Sequence, residues 1–290
     1  MSEKTHNPAT KRVLQILALI LLSITAIYYT LVYAFDIEKK IIYKPLKEFT
    51  SISADIAGKV RIESFKTSDG LKLSYIHIKG DKKLPPVLYC HGNGFNATYF
   101  INRVKFLANN NYEVFMPDYS GYGQSEGLPS ENGMYKNVEE IINHLSSSYK
   151  IDKSQLIIWG HSLGGAVVAD IASRNKFHGV ILEAAFTKMS DMKNYAAKFR
   201  SSNEFDALLR MLIYNSIPLT QKFETINKVS KIQSPLFLIH SKQDEIVPYQ
   251  MNIELYKKNP QARQFLSGKG YHDDPTWNND VILNFIKSLK

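Results

Sequence analysis

Three residues far apart in the chain have the types and order for nucleophilic chemistry: Ser162, Asp244 and His272. Ser162 stands in Gly160-His161-Ser162-Leu163-Gly164-Gly165, a G-x-S-x-G pattern entered from an apolar run over 155–159 and left through an Ala/Val-rich segment. On such a strand-to-helix turn the serine occupies strained backbone. Its hydroxyl stands above the sheet edge, beside a helix N-terminus whose free N–H groups favour negative charge. The flanking glycines are needed because side chains there would strike the adjoining strand and helix. A serine hydroxyl is a weak nucleophile and requires a base, which in turn requires an orienting acid. Elbows of this kind take these partners in the chain order Ser, acid, His. Asp244 lies in the turn after the buried run 234–240, and His272 lies in the Gly-flanked loop after the run 262–266. The chemistry open to such a set is acyl transfer.

The competing residues read less well. Of the eight histidines, His161 adjoins the serine but reads as facing the helix side of the elbow, and His240 ends a strand. His6, His77, His144 and His178 read as surface or packing residues. Glu245 competes with Asp244; Asp273 and Asp274 adjoin His272, too close in sequence to reach back to its ring. An oxyanion needs donors, one from the backbone N–H after the nucleophile and one from the loop after the third strand. These are Leu163 and, within His91-Gly92-Asn93-Gly94, Asn93. His91 reads as bonding backbone to hold that loop, and Asp118 as a structural turn residue, because it precedes the serine.

These residues must be carried by strand exits. Strands are predicted over 60–67, 72–79, 86–90, 113–117, 155–159, 180–184, 236–240 and 263–266, the first two joined by a hairpin at Thr67-Ser68-Asp69-Gly70. Helical patterns intervene over 99–109, 132–147, 164–174 and 249–257, and a last helix is predicted over 281–289. Such alternation implies a mostly parallel α/β sheet with helices on both faces. The stretch 186–233 is too long for a plain connection. Its bulky residues Met189, Met192, Tyr195, Phe199, Phe205, Leu208, Leu209, Met211, Leu212, Ile213 and Tyr214 suggest a cap of two or three short helices, suited to an apolar substrate group.

The chain resembles the α/β-hydrolase-fold serine hydrolases. It is similar in particular to membrane-anchored α/β-hydrolase-domain proteins, with monoacylglycerol lipases and serine aminopeptidase-like enzymes as relatives. The matching positions are 91–94, 118–125, 160–165, 244–248 and His272, within a region from about residue 60 to the C-terminus. Ser241 departs from the pattern, since related chains often carry Gly there. The resemblance implies an eight-stranded α/β-hydrolase fold with a helical cap, a Ser162–His272–Asp244 triad and a lipid-like or medium-chain carboxylic ester as substrate. A thioester or a peptide bond is the alternative for the same triad. A catalytically silent binding scaffold is the alternative from another class.

The run 13–35 carries no charged residue. At about 1.5 Å per residue it spans a hydrocarbon core of about 30 Å, and Tyr28, Tyr29 and Tyr33 suit an interfacial belt. It exceeds the apolar region of a cleavable signal peptide, although Val32-Tyr33-Ala34 offers a weak cleavage site. The expected organisation is a tail over 1–12, a transmembrane anchor over 13–35, a connector over 36–58 and a hydrolase domain over 59–290, the cap at about 186–233. Lys4, Lys11 and Arg12 before the anchor are matched by lysines after it, so charge does not fix orientation. A short tail before a first anchor favours the hydrolase on the non-cytoplasmic side. Cys90 is the single cysteine, which excludes an intrachain disulfide. Asn96-Ala97-Thr98 matches a glycosylation acceptor, but beside the oxyanion loop a glycan would obstruct the site. The net charge of +9 could hold the domain near anionic headgroups. No metal-ligand spacing, cofactor motif or nucleic-acid signature is present, and oligomeric state is not encoded in any recognisable pattern.

Overall fold

The computed structural model describes residues 8–199, 204–274 and 278–289. Residues 1–7 of the expected tail and 200–203 of the expected cap lie outside the described residues, as do the side chains of Phe199, Phe205 and Leu209.

Eight strands form one sheet: β1 (Val60–Lys66), β2 (Lys72–Ile78), β3 (Val87–Cys90), β4 (Val114–Pro117), β5 (Ile157–His161), β6 (Gly179–Glu183), β7 (Leu236–Ser241) and β8 (Arg263–Ser267). Their order across the sheet is β8-β7-β6-β5-β3-β4-β2-β1, and only β2 runs against its neighbours. The principal helices are α1 (Pro8–Ala34), α2 (Ile37–Ile42), α3 (Ile101–Asn109), α4 (Glu131–His144), α5 (Leu163–Ala172), α6 (Met189–Phe199), α7 (Glu204–Ser216), α8 (Gln250–Lys258) and α9 (Asn279–Lys287). All eight predicted strands are present, with ends displaced by no more than two residues.

Alternation along each strand divides the core into two layers. Leu88, Ile158, Leu182 and Leu238 pack with Val138, Val167 and Leu255 of α4, α5 and α8. Val87, Tyr89, Trp159 and Ile239 pack on the other face with Val104, Leu107, Ile282 and Phe285 of α3 and α9. Burial of both strand faces explains why these strands read as continuous apolar runs. The sheet order reverses between β3 and β5, and the carboxyl ends of strands flanking such a switch form a crevice suited to ligands.

The stretch expected as a connector is built into the domain. α2 is followed by Lys44–Pro45, which pairs in parallel with Gly94–Phe95 of the loop after β3. Tyr43 is buried, and its hydroxyl donates to Gln221 Oε1 at 2.8 Å. The charges of Glu38-Lys39-Lys40 mask this in the sequence, because the holding contacts come from residues about 180 positions away. α1 is long and apolar enough to cross a membrane, and its apolar side chains are largely exposed.

Candidate active site

β5 delivers Ser162 to the carboxyl edge of the sheet. Its backbone takes φ 54° and ψ −117°, a conformation that costs a side-chain-bearing residue energy and persists only where the surroundings enforce it. They do so by close packing. A Cβ on Gly160 would lie 2.2 Å from Gly164 O, and one on Gly164 would lie 2.1 Å from Cys90 O. The Ser162 N–H is satisfied by Glu183 O at 2.9 Å. Leu163 then opens α5, so its N–H is among those without an intrahelical acceptor.

Asp244 and His272 meet across two loops. His272 Nδ1–H donates to Asp244 Oδ2 at 2.7 Å, which leaves Nε2 as the basic nitrogen. Asp244 Oδ1 accepts from the N–H groups of Ile246 and Val247 at 2.9 and 2.7 Å. Burial alone would raise this carboxyl; the hydrogen bonds from His240 and His272 outweigh it and hold Asp244 well below its ordinary value.

Several partners escaped sequence reading. His240 Nε2–H is shared between Asp244 Oδ2 at 3.1 Å and Val247 O at 2.9 Å, so this histidine props the acid. Glu245, weighed only as a rival acid, accepts the His272 N–H at 3.1 Å. Ser241 Oγ lies 2.9 Å from Lys269 O and 2.5 Å from Gly270 O, tying the acid loop to the histidine loop. The Ser241 hydroxyl thus has a structural use. The one available signal was placement: His240 and Ser241 end the strand that leads to Asp244.

His161 corrects an expectation. It does not face α5; strand alternation puts it on the face shared with Trp159, opposite the α5 layer. There its Nε2–H donates to His272 O at 3.1 Å, and the two rings are 4.8 Å apart. Burial and then the Arg103 charge hold its pKa well below the ordinary histidine range, so the ring is neutral. Arg103 Nη2 donates to the same carbonyl at 3.2 Å while Nη1 pairs with Glu183 at 2.5 Å, both side chains buried. Glu183 is also held by Trp159 Nε1 and Asn278 Nδ2.

Asn93 lies across the switch point from Ser162. Its side chain donates to Ile42 O at 2.9 Å and its carbonyl accepts from Lys44 N and Tyr122 Oη. The loop is thereby fixed from both ends. His91 Nδ1 bonds Gly92 O at 2.8 Å, and Asp118 Oδ1 accepts from Ala97 N at 2.7 Å, both holding loop backbone. Asn96 is buried with its amide donating to Leu46 O and Glu48 O, which leaves no room for a glycan. Burial pushes the Cys90 thiol up to about 12, away from nucleophilic use.

Ser162, Leu163 and Asn93 share a cavity of about 230 Å³. The rest of its wall is mostly apolar: Met189, Met192 and Tyr195 of α6, Tyr214 of α7, Ile41 and Ile42 of α2, and Ile246 and Val247 beyond Asp244. Its two charged groups are turned to backbone. Glu38 accepts from the N–H groups of Thr220 and Gln221, both at 2.7 Å, and Lys193 Nζ donates to Ile217 O at 3.0 Å. Burial holds the Lys193 ammonium below its ordinary range. Of the expected cap residues, Leu208, Met211, Leu212 and Ile213 instead point outward.

Residues 82–213 match the family described as serine aminopeptidase, S33. The α/β hydrolase domain-containing protein WAV2 of Arabidopsis thaliana is 32% identical over 222 residues, covering 73% of this chain and 71% of that protein. The α/β hydrolase domain-containing protein 17C of Xenopus tropicalis is 30% identical over 210 residues, covering 70% and 60% respectively. Among solved structures, the Pyrococcus furiosus esterase Pf2001 superposes with a TM-score of 0.67 at 19% identity, covering 85% of this chain and 99% of the esterase. At that identity the likeness speaks for the fold alone.

Proposed function

The chain belongs to the α/β-hydrolase domain-containing family, and from that membership we propose a membrane-anchored serine hydrolase that cleaves a carboxylic ester with an apolar acyl group. The observation that carries this reading is Ser162 on its strained elbow in the wall of a mostly apolar cavity.

In this mechanism Ser162 Oγ attacks the acyl carbonyl while His272 Nε2 takes its proton. Asp244 holds the imidazole in the Nδ1–H tautomer and stabilises the imidazolium. Charge gathers on the former carbonyl oxygen, where the N–H groups of Leu163 and Asn93 stabilise it, each worth about 3 kcal/mol at such a position. His272 returns the proton to the leaving alcohol as the carbon–oxygen bond breaks. Water, deprotonated by His272, then releases the acid from the acyl-enzyme. α1 anchors the chain, with the hydrolase on the non-cytoplasmic side.

A fluorophosphonate probe applied to membranes carrying the full chain tests this. Labelling of wild type and none of Ser162→Ala is expected, with kcat on p-nitrophenyl esters lowered about 10⁶-fold in the variant. Folded wild type that resists the probe overturns the reading.

A further inference from the structure

On the premise that α1 is a membrane anchor, we infer that the cap helix α7 is itself a membrane-seated element. Its outer face lies at the headgroup–acyl boundary of the leaflet that holds the C-terminal end of α1.

Leu208, Met211, Leu212 and Ile213 of α7 are 56%, 45%, 62% and 53% exposed. Positions 208, 211 and 212 follow helical i, i+3, i+4 spacing and form one stripe. A cap surrounded by water would turn such a stripe inward. Here the inward positions are filled by other residues, since Tyr214 and, just beyond the helix, Ile217 reach the cavity.

The occupant of this face follows from its contact with α1. Tyr28 Oη and Ser216 Oγ are 2.6 Å apart, which fastens the end of α7 to the side of α1. Tyr28 precedes the helix end at Ala34 by six residues, about 9 Å along the axis. With Ala34 at the membrane surface, the Tyr28 backbone lies about 9 Å below it, and Ser216 sits within one tyrosine side chain of that level. Interfacial amphipathic helices bury their apolar faces about 5–10 Å deep. A helix whose C-terminal end is held near that depth, with an apolar stripe left uncovered, fits acyl chains. The exposed Lys40 and Lys44, just beyond α1, stand where anionic headgroups attract cations. The same membrane-side elements build the cavity wall, with Ile41 and Ile42 of α2 beside Tyr214. An ester dissolved in the bilayer can therefore reach Ser162 along an apolar surface.

Cys90 is the only cysteine and is buried, so a cysteine introduced elsewhere can be labelled selectively with nitrobenzoxadiazole. The full chain, reconstituted in phosphatidylcholine–phosphatidylglycerol vesicles, would carry the label at Leu212→Cys, and separately at Leu208→Cys. Leu21→Cys serves as the anchor control and Lys82→Cys, before β3 and far from the cap, as the water control. The expected result at 212 and 208 is blue-shifted emission, as at 21, and strong quenching by doxyl-labelled lipids, absent at 82. Emission at both sites resembling that at 82, with 21 still blue-shifted, overturns the inference and leaves the anchor intact. Emission at 21 resembling 82 overturns both. A blue shift without doxyl quenching means that protein, such as a second copy, covers the stripe, and also overturns it. None of these readouts depends on turnover, so the hydrolase reading stands or falls separately on Ser162.

Discussion

Asp244 is the most heavily partnered group of the site, with both oxygens engaged by two histidines and two backbone N–H groups. Asp244→Asn preserves its shape but presents an N–H or a neutral oxygen to His272, favouring the wrong tautomer. We expect kcat to fall about 10⁴-fold with KM little changed, measured on a p-nitrophenyl ester. The same carboxylate links stability to pH. Its folded value lies below the ordinary 3.8, so its stabilisation is complete above that value and lost as pH falls toward the folded one. Urea midpoints of wild type should therefore drop more steeply than those of Asp244→Asn as the pH falls below about 4; parallel curves there would refute the linkage. That Ser162, Asp244 and His272 follow the ends of β5, β7 and β8 was legible because topology sets their order along the chain. His240 and Glu245 were not, because their roles arise from hydrogen bonds between loops that no spacing encodes.

At the level of elements, α3 on one face of the sheet reaches the histidine loop through the side chain of Arg103. Arg103 is paired with Glu183 and donates to His272 O, so it joins β6 to the loop after β8. Arg103→Met leaves Glu183 buried without its countercharge, which should cost about 3–5 kcal/mol. A urea midpoint would show it, and replacing Glu183 by Gln in the same chain should recover part of the loss. An unchanged midpoint in the single variant would mean that the pair is not buried in solution. The central strands β3 to β7 were legible because both their faces are covered, which leaves nearly unbroken apolar runs. α2 and the Lys44–Pro45 pairing were not, since their sequence resembles a solvated linker and their stability comes from Tyr43 and Glu38 meeting residues 220 and 221.

Among the described residues, α1 alone is long and apolar enough to cross a membrane, and it leads into a domain that buries its own core. If α1 spans a bilayer, the full chain should stay in the membrane pellet after an alkaline carbonate wash and leave it only with detergent. Release into the carbonate supernatant would remove the anchor from the proposed function. The grip of Glu38 on Thr220 and Gln221 spans 182 and 183 positions, and it has a consequence for how the molecule is made. Ribosomes extend a chain by about 5–20 residues per second. Glu38 therefore waits about 10–40 s for its partners to be synthesised, whereas α1 is complete before that interval begins. If α1 is a membrane anchor, the wall of the cavity closes only after the site of residence has been chosen, so a half-made chain has an address before it has a pocket.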